Sequence, residues 1–260
     1  MSFKGWWECT CLNTYPTAIN HSVSAFVSLS DYEEAARKRL PHATFEYIDS
    51  GAADEVTLGL NRSAYNEILI RPRVLEDVSF INTQIELFGE GLPFPILLAP
   101  TAFHKVIHPD GELATAKGAA EAEAVFVVSH STTTGLEDLA DTPHGKHWFQ
   151  LYVQTDRAFV KDLVQLAIAH GCRALCVTVD NPVSGPRNRQ QRAAFALPEG
   201  VQAPYIRDVA DLNCYTCAPL TWDDLDWLRS LVESEKVPLL LKGITHPADA
   251  KRAADSGVNG

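Results

Sequence analysis

A chain of 260 residues, 46% hydrophobic and 21% charged, has the composition of a soluble globular protein and the length to bury a sizeable core. Its 22 basic residues against 33 acidic ones give a formal charge of −11, which argues against nucleic acid as the main partner, because phosphate binding needs a basic surface. No run reaches the roughly 18 apolar residues of a membrane span. The best candidate, 92–103, is interrupted by Pro93, Pro95 and Pro100. The N-terminus has Glu8 directly behind two tryptophans and lacks the apolar centre of a signal peptide, so the cytoplasm is the expected compartment.

Residues 1–28 carry no periodicity and read as a loose arm. Ser30 and Glu33 have capping-box spacing, which predicts a helix over 30–40. Pro41 restarts the chain, and Phe45, Tyr47 and Ile48 fall on a second short helix that stops at Gly51. A third helix is predicted over 54–65, with Val56, Leu60 and Ala64 on one face. After an Arg- and Pro-rich stretch, 81–88 alternates apolar and polar residues, and Gly89-Glu90-Gly91 turns it into a small antiparallel ribbon.

From Pro95 the pattern changes. Short apolar runs at 96–99, 125–129, 148–153, 174–179 and 238–241 alternate with amphipathic stretches at 111–124, 136–140, 157–170, 223–232 and 247–255. Thr221 and Asp224 supply a capping box for the fourth of these helices. Such alternation predicts a parallel sheet with right-handed crossovers. Polar groups recur where the strands end: Pro100-Thr101, Ser129-His130, Gln154-Thr155, Asp180-Asn181 and Lys242-Gly243. Chemistry at successive strand ends points to an α/β fold of the (β/α)8 TIM-barrel type rather than an open sheet. No GxGxxG or GxxxxGK[ST] motif follows any strand. Five strands are read where a barrel needs eight, and Val258-Asn259-Gly260 has the look of an approach to a sixth. The expected barrel is therefore incomplete, with a helical lead-in over 30–94 and barrel units over 95–257, all in one domain from residue 29 to 260.

The strand at 174–179 runs into Asp180-Asn181-Pro182, with Arg187, Arg189 and Arg192 close behind. A carboxylate at a strand end followed by a basic loop suits a small anionic ligand, and equally a solvated loop with surface ion pairs. Cys214 and Cys217 have the C-x-x-C spacing of metal and redox sites, and Cys9 and Cys11 could complete a tetrad. Cys176, however, lies within an apolar strand and no histidine is near Cys214, so free thiols are expected. His104 and His108 have i,i+4 spacing but no evident third ligand, and no metal is expected.

Eight segments, in order, resemble the FMN-dependent 2-hydroxy acid oxidase/dehydrogenase family, which includes glycolate oxidase and lactate oxidase. They are 45–52 (FEYIDSGA), 54–58 (DEVTL), 71–73 (RPR), 99–102 (APTA), 108–112 (HPDGE), 149–153 (FQLYV), 178–182 (TVDNP) and 241–243 (LKG). The resemblance covers residues 30–260. It implies FMN as cofactor and oxidation of a small L-2-hydroxy acid to a 2-oxo acid, with hydride transfer to flavin N5. Oxygen or another acceptor would reoxidise the flavin, and homo-oligomers of four or eight subunits are usual. A peroxisomal location is implied if the source is eukaryotic.

Residue roles follow from the resemblance alone. Pro100, Thr101 and Ala102 would pack near N5, while Ser129, Gln150 and Thr178 would bond the polar edge of the isoalloxazine. Lys242 would place positive charge near N1 and O2. Tyr47 and Tyr152 would contact the substrate, Arg187 would bind its carboxylate, and Asp180 would orient the catalytic histidine.

Several features depart from the family pattern. The family's histidine lies in a sixth-strand segment resembling VSNHGGRQLD, beside a second arginine, and the sequence stops short of it. Strands seven and eight, which build the phosphate site, are absent as well. The alternative reading is a catalytically incompetent fragment or pseudoenzyme. Ser131 stands where an aromatic residue is common, and Ile48 where a second tyrosine often follows Tyr47. Both suggest a pocket that prefers a side chain larger than that of glycolate.

Overall fold

The computed structural model describes residues 26–207 and 218–260. Its centre is a four-stranded parallel sheet in the order β3 (Val125–Ser129), β4 (Lys146–Leu151), β5 (Leu175–Thr178) and β6 (Leu239–Lys242). Each strand begins close to where its apolar run begins. All five side chains of β3 are buried, because both faces of the sheet are covered.

The period of two sorts the side chains. Phe126, Val128, Phe149, Leu151, Leu175, Val177 and Leu239 face one way and form the main core with the helices. Those helices are α4 (Gly111–Glu121), α5 (Leu136–Ala140), α6 (Arg157–Ala169) and α8 (Leu225–Ser230), and α9 (Pro247–Asp255) follows β6 outside this cluster. In α6, Val160, Leu163, Val164 and Ala167 are buried at helical spacing. Each of the larger ones contributes about 1.5–3 kcal/mol by leaving water. Asp156 starts that helix by accepting from the backbone of Ala158 and Phe159.

Val125, Val127, Trp148 and Ala174 face the other way and pack on Leu92. Leu92 belongs to an antiparallel ribbon of β1 (Ile85–Leu87) and β2 (Glu90–Leu92), which covers the N-terminal end of this inner face. The same alternation puts Ser129, Gln150, Thr178 and Lys242 on the inner face at the opposite, C-terminal end. That end is where the candidate site lies.

Several elements differ from expectation. The capping box of α1 (Leu29–Arg39) uses Ser28 and Asp31, two residues earlier than predicted. Ser28 has the extended backbone a cap requires, and the Asp31 carboxylate accepts from both its amide and its hydroxyl. Helix α2 (His42–Asp49) is as expected, whereas α3 (Val56–Ser63) begins later, after Glu55 in a left-handed conformation. The apolar side of α3 is uncovered: Val56 and Leu60 are exposed. The ribbon is shorter than the 81–88 alternation suggests. The expected first barrel strand is reduced to a single parallel bridge, Leu98 with Phe126, because flanking prolines supply no ladder donors. Helix α8 is six residues, preceded by a 3-10 turn that carries the predicted Thr221–Asp224 capping box. A short helix that the sequence did not signal, α7 (Asn188–Arg192), follows β5.

The C-terminal residues behave as the sequence suggests. Asn259 donates its backbone N–H to Leu239 and Leu241 donates to Gly260, so this segment runs beside β6 as a further parallel strand would.

Candidate active site

At the C-terminal end of the inner face, buried polar side chains form a connected row. Ser129 Oγ donates to Gln150 Oε1 at 3.2 Å, and Gln150 Nε2 donates to Thr178 Oγ1 at 2.9 Å. Gln150 Oε1 also accepts from the His130 backbone at 3.3 Å. Thr178 is in register with Lys242, whose Nζ lies 3.8 Å from the Asp180 carboxylate. Gly243 makes that approach possible: its φ is +108°, and a Cβ there would overlap Asp180.

Beside this row opens a cavity of about 470 Å³. Tyr47, Ala102, Ser131, Tyr152 and Arg187 all line it, brought from α2, the segment after the Leu98 bridge, the loop after β3, the end of β4 and the start of α7. Tyr47 stacks on Phe195 with ring centroids 4.2 Å apart. Burial pushes its phenol pKa up to about 12, despite the opposing charge of Arg187, so it is a neutral donor at pH 7. The Arg187 guanidinium lies over the Tyr47 ring, 5.3 Å from its centroid. Its Nη2 donates to the carbonyls of Tyr47 and Ser50 at 2.5 and 2.6 Å. Burial lowers the Arg187 pKa, an effect that Tyr47 and Glu55 partly offset.

The sequence-predicted residues therefore fall into two adjoining groups. Tyr47, Tyr152, Arg187 and Ala102 share the cavity, and Ser129, Gln150, Thr178 and Lys242 share the strand-end row. Asp180, half exposed, belongs to the second group through Lys242. Thr101 turns to His104, its hydroxyl 2.5 Å from the ring Nε2. The other His104 nitrogen lies 3.0 Å from the Thr115 hydroxyl, and His108 sits apart, beside Asp110. Ser131 lines the cavity, whereas Ile48 is exposed and does not. Cys9, Cys11, Cys214 and Cys217 lie outside the described residues. Among the described residues, no three His, Cys, Asp or Glu side chains gather as a metal site would require. No helix among them is long and apolar enough to cross a membrane.

Three supporting residues stood in sequence motifs without a role assigned to them there. Glu112 is fully buried and accepts from the backbone of His104 and Thr133 and from the hydroxyls of Thr133 and Thr134. Burial opposes its ionisation, but these hydrogen bonds prevail and hold its pKa below the ordinary carboxylate value. His130 is also fully buried, its Nε2 3.0 Å from the Tyr205 carbonyl. Burial pushes its pKa down to about 4, so it is neutral at pH 7. Arg189 joins α7 to α2 and α3 through three carboxylates.

A parallel sheet with its polar row and cavity at the strand C-termini is the arrangement of a (β/α)-barrel enzyme. Residues 36–260 match the family described as FMN-dependent dehydrogenase, and the chain belongs to that family. It is 41% identical over 257 residues to an L-lactate oxidase from Nostoc sp., covering 91% of this chain and 69% of that protein. It is 39% identical over 246 residues to a peroxisomal (S)-2-hydroxy-acid oxidase of Oryza sativa subsp. japonica, covering 90% of this chain and 66% of the rice protein. In three dimensions it resembles mandelate oxidase, with a TM-score of 0.84 at 38% identity over 90% of this chain and 67% of that one. The chain thus spans about two thirds of the length of the relatives it matches.

Proposed function

We propose that this chain carries the substrate pocket and the isoalloxazine-facing edge of an enzyme that oxidises an L-2-hydroxy acid to a 2-oxo acid with FMN. One observation carries this reading: Tyr47, Tyr152 and Arg187, from three separate elements, line one cavity beside the Ser129–Gln150–Thr178 row. The donor set suits FMN. Gln150 has a second amide hydrogen, Thr178 a hydroxyl hydrogen and Lys242 an ammonium, all at one strand-end edge, as the carbonyl- and nitrogen-rich side of a flavin requires. Ser129, Gln150, Thr178 and Lys242 would hold that edge, with residues 100–102 beside the ring. When bound, FMN supplies an acceptor for the substrate's electron pair and Cα hydrogen.

Binding and orienting the substrate fall to the protein's own groups. Arg187 attracts the substrate carboxylate with a guanidinium already fixed by two carbonyls. Tyr47, neutral at pH 7, donates to the same carboxylate, and Tyr152 faces the substrate hydroxyl. Asp180 is assigned the orientation of the histidine base, a role supported by its place at the strand end. Oxygen or another acceptor completes the cycle, in a homo-oligomer, in the cytoplasm or in the peroxisome that the rice relative's name carries. No observation favours the non-catalytic alternative. Ser131 on the cavity wall supports a substrate larger than glycolate.

The test is flavin titration followed by oxalate, a planar substrate mimic. The protein should quench FMN fluorescence, and oxalate should then perturb the visible flavin band in the wild type but not in Arg187→Met. Equal perturbation in both proteins would remove Arg187 from the carboxylate site. Comparing glycolate, L-lactate and 2-hydroxyoctanoate as reductants of the bound flavin tests pocket size, and a strict preference for glycolate would refute the larger pocket.

A further inference from the structure

We propose that Arg189 is a positioning residue for the substrate site: by tying two carboxylates of α2 and that of Glu55, just before α3, to α7, it sets where Tyr47 and Arg187 stand. The inference rests on the reading of the cavity as the 2-hydroxy acid site.

Helix α2 is held to α7 at two points. Arg187 takes the carbonyl end of the helix, at Tyr47 and Ser50, where the peptide dipoles leave negative charge. Arg189 takes its flank. Its Nε reaches Glu46 at 2.6 Å, its Nη2 reaches Asp49 at 2.6 Å, and its Nη1 reaches Glu55 at 3.3 Å. Glu46 and Asp49 are three residues apart, on one helix face, with Tyr47 between them in sequence. One point of attachment leaves a helix free to rotate about it, and two points fix its rotation. The angle at which Tyr47 enters the cavity therefore depends on both arginines.

Charge supplies the second half of the reasoning. Glu46, Asp49 and Glu55 converge on one guanidinium, whereas the half-exposed Arg37 is 3.9 Å from Asp49 and the exposed His42 ring 3.9 Å from Glu46. The hydrogen bond from Arg189 is the main influence holding the Glu46 pKa below its usual value. Without Arg189, three carboxylates would repel one another and seek another cation. Arg187 stands two residues away, and the field of Glu55 already reaches it. The acids would then draw Arg187 out of the cavity. Arg189 thus keeps Arg187 available for substrate by satisfying these carboxylates in its place.

The experiment uses Arg189→Met, Arg189→Lys and, as a control for charge loss on the same helix, Arg192→Met. Three quantities are measured: FMN affinity by fluorescence quenching, oxalate affinity of the FMN-loaded protein by calorimetry, and amide exchange over residues 42–50. In Arg189→Met, oxalate should bind about tenfold or more weakly, exchange over 42–50 should rise, and FMN affinity should stay within about twofold. Arg189→Lys, which keeps the charge but not the fork, should recover part of the oxalate affinity. Arg192→Met should match the wild type. Faster exchange with unchanged oxalate affinity would make Arg189 a purely structural tether and overturn the inference. A wild type that binds FMN but not oxalate would overturn the reading of the cavity, and the inference with it.

Discussion

Glu112 offers the sharpest test of the structural reasoning. Its side chain is fully buried, and it accepts at 3.1 Å from the His104 amide, 2.9 Å from the Thr133 amide, 2.6 Å from the Thr133 hydroxyl and 2.9 Å from the Thr134 hydroxyl. These donors belong to the loops after the Leu98 bridge and after β3, so one carboxylate holds together two walls of the cavity. Glu112→Ala strands four donors, three of them buried, at about 1–3 kcal/mol each, and because such losses are not additive we expect about 4 kcal/mol of lost stability. Glu112→Gln keeps one acceptor oxygen for the two amides, and its new N–H groups can meet hydroxyls that turn to accept. The expected loss is therefore smaller, about 2 kcal/mol, mainly the charge assistance.

The pH dependence follows in sign from the lowered pKa of Glu112. A folded-state pKa below the unfolded value gives stability that is present above the unfolded pKa, about 4.3, and lost as pH falls through the folded one. Urea unfolding of wild type and Glu112→Gln at pH 7 and below about pH 4 should show the gap between them closing in acid. A gap of constant size, or a Glu112→Ala loss under about 1 kcal/mol, would refute the carboxylate's assigned role.

Two further outcomes are expected. Gln150→Leu breaks the row between Ser129 and Thr178 and should weaken FMN binding about tenfold or more in a fluorescence titration; affinity within about twofold of wild type would remove Gln150 from the flavin edge. Gly243→Ala puts a side chain at φ +108° against the Asp180 carboxylate and should cost about 1–3 kcal/mol in chemical denaturation; unchanged stability would refute both the left-handed backbone there and the close approach of Asp180.

The difference between legible and illegible features lies in the range of the interactions. The strand at 125–129 could be read because four successive apolar side chains, Val125 to Val128, suit a strand buried on both faces. Of the inner-face row, Ser129 and Lys242 were legible as polar strand ends, whereas Gln150 and Thr178 lie inside their apolar runs and were named only through the resemblance. The capping box of α1 was misplaced because Ser28 and Ser30 are chemically equivalent in a linear sequence. Which serine caps depends on which one adopts the extended backbone, and Ser28 does. Ile48 and Tyr47 are neighbours in sequence on one short helix, yet only Tyr47 faces the cavity. That choice depends on how α2 docks against α7.

By itself, the sequence determined the alternation of strands and helices, the polar strand ends and the order of motifs that places the chain in its family. Those features depend on side-chain period and local turns, which act over a few residues. Tertiary structure alone decided that Arg189 faces Glu46, Asp49 and Glu55, some 134 to 143 residues earlier in the chain, and that Glu112 meets Thr133 and Thr134 21 and 22 residues later. It also decided that Arg187 spends its Nη2 on the end of α2 while lining the cavity. An isolated arginine or glutamate has the same chemistry wherever it lies in a sequence. Its partner is fixed only when packing brings two elements within hydrogen-bond reach.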